Sequence, residues 1–259
     1  IGGLVIAVLL ISVVYAFVSP VVYRPPVPEV PEKVISNYTF VRHQAPAVDY
    51  VNLNMTIKAG GFNINFSSDS NLIYHFKFEQ DKNATKPTVE NTALGNRLMV
   101  NVFAETGDLE ATFGSNYLYN GTIKVGIGGI SLVLSNYSNV DNFDIEAMYA
   151  GGISLEVLDN ASFNHLNLKA TLGGIMMRVD APSLRRNCSI TARVEVGGYM
   201  IEPISVGVDL GVKLAAFVDM GGMMFNPAGF QKVKEEENDI EIRTLNYATA
   251  TIKLDIEIF

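Results

Sequence analysis

Residues 143–157 read FDIEAMYAGGISLEV, and residues 166–179 read LNLKATLGGIMMRV. In each, apolar and polar residues alternate up to a glycine pair, and a second short apolar run follows it. Alternation of period two is the mark of half-buried strands. Glycine pairs stand at Gly60-Gly61, Gly128-Gly129, Gly151-Gly152, Gly173-Gly174, Gly197-Gly198 and Gly221-Gly222, the last five separated by 23, 22, 24 and 24 residues. The first interval, 68 residues, is close to three such periods. Thr106-Gly107-Asp108 falls near one missing position, and nothing around Asn83 resembles the pair. The runs after the pairs are FNINF, ISLVL, ISLEV, IMMRV, YMIEP and MMFNP, and no stretch after Val18 sustains a 3.6-residue period.

A unit of strand, loop, strand and Gly-Gly every 22–24 residues is what stacked coils require, since each coil buries its apolar face only on its neighbours. Glycine suits a tight corner between stacked strands, where φ is positive or two backbones approach closely. The pattern over Gly107 to Phe225 resembles the toast-rack-like β-solenoid domains of bacterial and archaeal surface proteins. That resemblance implies an all-β head built as a β-solenoid of about 23-residue repeats. The alternative is an antiparallel β-sandwich with glycine at its turns. Leu72 to Thr92 should be an insertion or an irregular coil, because charge and Pro87 break the repeat there. Met176, Met177, Met200, Met223 and Met224 read as gap-filling core residues. Glu235-Glu236-Glu237 reads as a solvated turn, and the alternating strand Thr251 to Phe259 should cap or pair with the last sheet edge.

The head is preceded by a different kind of segment. Ile1 to Val18 (IGGLVIAVLLISVVYAFV) carries no charge; Pro20 ends it and Arg24 is the first charge. As a helix it would be about 27 Å long, against a bilayer core of roughly 30 Å. Secretory signals and anchors place a basic segment before such a run, so the expectation is that a basic leader was removed just before Ile1 and the apolar stretch retained. This resembles the mature N-terminus of type IV pilins and archaeal archaellin-like filament subunits. It departs from them in stopping at Pro20, and Val5 stands where the bacterial hallmark glutamate would be. The resemblance implies that Ile1, Leu4, Val5, Val8, Leu9, Ile11, Tyr15 and Val18 pack against copies of themselves in a filament core, after an earlier stay in the membrane. A plain membrane anchor is one alternative, and a β-branched strand donated to a neighbouring subunit is another. Ser19 to Lys33 holds five prolines and reads as a semi-rigid polyproline spacer. The expected organisation is therefore an N-terminal hydrophobic helix over 1–19, a Pro-rich linker over 20–33 and a β domain over 34–259.

Composition limits the chemistry. The 259 residues (28.2 kDa) carry a net charge of −8 with no basic cluster, which argues against nucleic acid as a partner. One cysteine, Cys188, excludes an internal disulfide framework, and three scattered histidines (His43, His75, His165) offer little for a metal or for acid–base catalysis. Gly126-Ile127-Gly128-Gly129 lacks the Lys-Ser/Thr of a phosphate loop. Cys188, inside the sequon Asn187-Cys188-Ser189, should sit in a loop. No catalytic site, metal or cofactor is expected. Asn-X-Ser/Thr occurs at Asn37, Asn54, Asn65, Asn83, Asn120, Asn136, Asn160 and Asn187, eight times, where the 22 asparagines and 28 serines and threonines predict about 2.4. The excess points to an extracellular, N-glycosylated head. With the pilin-like start, it leads to the expectation of a structural subunit of an extracellular, archaeal-type pilus-like filament for adhesion or surface attachment. A membrane-anchored solenoid binding a ligand or partner is the alternative.

Overall fold

The computed structural model describes residues 32–202, 204–207, 209–217, 222–225, 230–236, 239–244 and 246–258. The expected helix, the alternative donor strand, all of Ile1, Leu4, Val5, Val8, Leu9, Ile11, Tyr15 and Val18, and nearly all of the linker lie outside them. The described chain is all-β, apart from a single 3-10 turn at Arg42–Gln44. Its strands are β1 (Lys33–Val41), β2 (Tyr50–Phe66), β3 (Leu72–Asp81), β4 (Thr88–Leu94), β5 (Arg97–Phe113), β6 (Leu118–Leu134), β7 (Val140–Leu158) and β8 (Phe163–Ala181). They continue as β9 (Cys188–Ile201), β10 (Ser205–Val206), β11 (Leu210–Phe217), β12 (Gly222–Phe225), β13 (Phe230–Glu236), β14 (Asp239–Thr244) and β15 (Ile252–Ile258). All belong to one open sheet: twelve lie in the order β1-β3-β5-β2-β6-β7-β8-β9-β15-β11-β14-β13, while β4 pairs with β5, β10 with β8 and β12 with β9.

Through the repeat, neighbouring strands pair parallel and in register, glycine on glycine: Gly128 with Gly151, Gly151 with Gly173, Gly173 with Gly197. An antiparallel sandwich would not pair this way. Parallel neighbours ordinarily need a crossover of a dozen or more residues, yet β7 and β8 are joined by residues 159–162 alone. Straight, the 19 residues of β7 would run about 60 Å, and a four-residue link reaches less than about 20 Å. The strand therefore doubles back at its glycine pair, and each long strand forms two legs of one coil.

Burial records the turn. In β8, Leu166, Leu168 and Ala170 are buried before the pair, and Ile175, Met177 and Val179 after it. The buried parity changes from even to odd across the corner, so the corner takes up one residue of the alternation and both legs still turn their apolar side chains inward. Tyr199 confirms that the legs face one another, since its hydroxyl meets the backbone of Val194 and Ala192 on the opposite leg. At the other end of the coil, Tyr119 packs against Phe113 (centroids 4.8 Å apart) and donates its hydroxyl to the Ile73 carbonyl at 2.8 Å.

Several expectations are corrected. The 68-residue interval is not three stacked periods, because Gly60 pairs directly with Gly128 on one side and with Gly107 on the other. The chain leaves β2, crosses to its far side and returns as β5, so Gly107 is the corner of an outer coil. Leu72 to Thr92 is not irregular: β3 and β4 run antiparallel against the two legs of β5 and cover its outer edge. The C-terminal strand pairs with the edge of the last coil, as expected, but does not end the sheet. β15 runs parallel between β9 and β11, with Leu254 opposite Cys188 and Val212. Glu235 and Glu236 are the last residues of β13 rather than a turn.

The corner makes unequal demands on its two glycines. Gly128 has φ 136°, and a Cβ there would overlap the carbonyl oxygen of Gly60. At Gly129 a Cβ would come no closer than 3.6 Å to any neighbour, ordinary contact. Gly128→Ala should therefore cost at least about 3 kcal/mol and Gly129→Ala less than about 1 kcal/mol. Urea midpoints of the two variants measure the difference, and equal midpoints would contradict this account of the corner.

Candidate contact surface

The outward positions of each coil form columns along the stack. At the corner itself an exposed apolar ridge runs through Ile127, Leu172 and Val196, with Tyr149 beside it where β7 bulges. Next comes the column of second glycines, Gly129, Gly152, Gly174 and Gly198, whose missing side chains leave a shallow groove of about 820 Å³. Beyond it stand Ser131, Ser154, Met176, Met200 and Met224.

This groove overturns the expectation for the methionines. Met177 is buried, as expected, but Met176, Met200 and Met224 are 39%, 44% and 68% exposed. The side chain of Met223 lies outside the described residues. The physical reason is alternation counted from the corner: Ile175 and Met177 point inward, so Met176 between them points out. Counting by twos from each glycine pair would have found this in the sequence.

The outer face of the other leg is polar. Lys124 reaches Glu146 at 3.0 Å, and Lys169 reaches both Glu146 (3.6 Å) and Glu195 (3.0 Å). The hydrogen bond from Lys124 holds the Glu146 carboxyl below its ordinary range. Such half-exposed pairs contribute no more than about 1 kcal/mol each, and they keep this face hydrated. Arg178 pairs with Glu156 at 3.3 Å along the far margin of the methionine column.

Of the sequon asparagines, Asn37, Asn54, Asn83, Asn136, Asn160 and Asn187 are exposed, and Asn65 and Asn120 are half-buried. Asn136, Asn160 and Asn187 fall in successive links between coils, at the end of each coil opposite its glycine corner. There Ser183 donates to the Asn160 side chain at 3.2 Å, and Asn187 accepts the Lys253 N–H at 2.9 Å. Asn54 lies in mid-strand beside Asn101. The histidines are dispersed: His75 meets Thr39 and His165 meets Ser189, each at 2.8 Å. Among the described residues no group of three metal-ligating side chains converges.

Cys188 is not in a loop. It opens β9 and is buried, and desolvation pushes its thiol up to about 12. A thiol so shifted is almost wholly protonated near neutral pH, and the thiolate is the reactive form.

No family model matches the chain, and no curated protein matches it. Solved structures do. A candidate cell adhesion protein from Clostridium sporogenes is 12% identical, with a TM-score of 0.51, over 88% of this chain and 94% of its own. A candidate adhesin from Bacteroides fragilis (11% identity, TM-score 0.26) covers 88% of this chain and 97% of its own. One from Parabacteroides merdae (9%, 0.22) covers 88% and 96%. At such identities the first likeness establishes a shared mostly-β fold, and the other two add nothing to it.

The burial of Cys188 sets a measurable expectation. In the folded protein at pH 8 it should react with a thiol reagent at least about 100-fold more slowly than a free cysteine, and at the free rate in urea. A fast native reaction would mean that β9 does not begin where the structure has it.

Proposed function

We propose that the chain is a cell-surface adhesion protein whose head is a glycine-cornered β-solenoid and which serves as the structural subunit of a pilus-like filament. The observation that carries this reading is the in-register parallel stack itself. It holds outward side chains in fixed columns, a scaffold suited to extended contact rather than to enclosing a substrate. Support for adhesion comes from the Clostridium sporogenes structure, described as a candidate cell adhesion protein, which shares the fold over 88% of this chain.

In this proposal Ile1 to Val18, charge-free over 18 residues, supplies the assembly segment. Burying it against copies of itself gains about 25 cal/mol per Å² of apolar surface, and repetition of one head-to-tail contact yields an open helical polymer. Before assembly the segment resides in the membrane; the Pro-rich spacer then holds the head outside the core. The head is extracellular and carries N-linked glycans at the eight sequons. The role is structural and adhesive, with no catalysis, no cofactor and no nucleic-acid partner.

Two measurements test the proposal. Material sheared from cells should contain fibres whose peptides map to this chain. Recovery only as single particles in detergent extracts would instead favour an anchored binding domain. Intact mass of the native protein should exceed the 28.2 kDa of the polypeptide by the mass of several glycans, and a mass at that value would refute glycosylation.

A further inference from the structure

The corner strip has three properties that together select its partner. First, it is large and apolar. Ile127, Tyr149, Leu172, Met176, Val196, Met200 and Met224 account for seven of the exposed large apolar residues among those described. Their exposed area is on the order of 800 Å², what each side of a standard protein interface buries. Patches of this size on soluble surfaces mark contacts.

Second, the strip is uncharged from β6 to β12. Ridge, glycine floor and methionine column contain no Asp, Glu, Lys or Arg, whereas the first two coils present Asp108, Glu110 and Lys58 at its near end. A chain of net charge −8 repels its copies in general; this strip is where they can approach without opposing charge. None of the eight sequon asparagines stands in the ridge, floor or methionine columns from β6 to β12.

Third, the strip is complementary to itself. The ridge and the groove are made by the same coils, so both repeat at the strand spacing of about 4.8 Å. A two-fold axis parallel to the stack and midway between ridge and groove places each copy's ridge over the other's glycine floor, level by level. Val196 pairs in register with Leu172 of the preceding coil, and Ile127 continues the ridge beyond Ala150, where the bulge in β7 puts Tyr149 beside it. The second glycines floor the groove: Gly129 has room for a Cβ that the sequence does not supply, whereas at Gly152 and Gly174 a Cβ would come within 3.0 Å of the next coil's carbonyl oxygen.

We propose that this strip is a homodimer contact, in which a second copy of the chain lays its corner ridge into the glycine-floored groove and receives the first copy's ridge in its own. The inference deepens the proposed surface-contact role by naming one partner. Its test reads a pairwise contact whether or not fibres form, so the two can fail separately.

The test is thiol cross-linking of the full chain. Cys188 is buried and serves as a silent background. Val196→Cys, on the ridge, should give a cross-linked dimer with a short bis-maleimide. Asn167→Cys, exposed on the outer face of the other leg, should give at least about 10-fold less. Adding Leu172→Glu to Val196→Cys should cut the dimer by at least about 10-fold, while a strand-type circular dichroism spectrum shows the head still folded. Equal cross-linking at 196 and 167, or a yield indifferent to Leu172→Glu, would overturn the proposal. So would protection of the 196 thiol only when phosphatidylcholine vesicles are added, which would assign the strip to a lipid surface.

Discussion

The structure depends on one close approach: the backbone of the corner glycine in each of β6 to β9 against the carbonyl of the corner glycine in the preceding coil. In-register parallel pairing needs neighbouring strands about 4.8 Å apart along their whole length. A strand that doubles back must keep that spacing through the bend. The first glycine of each pair meets the requirement at φ 136° in Gly128, 147° in Gly151 and 144° in Gly173, with no room for a side chain. Where this contact repeats, the strands pair glycine on glycine through the corner, the register shifting just before it where β7 meets β6 and β8, and a link of four to six residues suffices to start the next coil.

The rest of the molecule follows from that corner. Because the corner takes up one residue of the alternation, both legs feed one core, and Leu168 on one leg and Met177 on the other are both fully buried in it. Because the coils are in register, every outward position becomes a column. One leg thereby acquires a lysine–glutamate ladder and the other an apolar strip. The two ends of the stack are finished differently. β3 and β4 run antiparallel along the legs of β5, closing that edge against further pairing, and at the other end β15 takes the place beside β9 that the first leg of another coil would occupy.

Such a molecule suits contact over an extended surface. Its strands cannot slide past one another without breaking register, so the positions from which its side chains project are fixed in spacing. The polar leg stays hydrated, the link end carries three of the sequons, and the glycine corner is left apolar and bare. The division is chemical as much as geometric. One face carries the charged pairs and the link end carries sequons, and the glycine corner from β6 to β12 has neither.

The repeat by itself determined that the head is all-β, that its strands are half-buried and that the glycine pairs mark corners. Those features are local, since alternation and a residue without a Cβ mean the same thing wherever the chain runs. The tertiary structure alone decided which coils are neighbours. Gly60 and Gly128 lie 68 residues apart and yet pair directly, because β5 crosses to the far side of β2, and nothing local distinguishes that from three periods. The placement of β15 between β9 and β11 likewise depends on edges that exist only once the coils have stacked. The methionines stand between the two cases. Their outward direction was present in the count from each glycine pair, but hydrophobicity alone argued for the core. The completed stack, with the inward positions filled by Ile175 and Met177, follows the count and leaves Met176 at the surface.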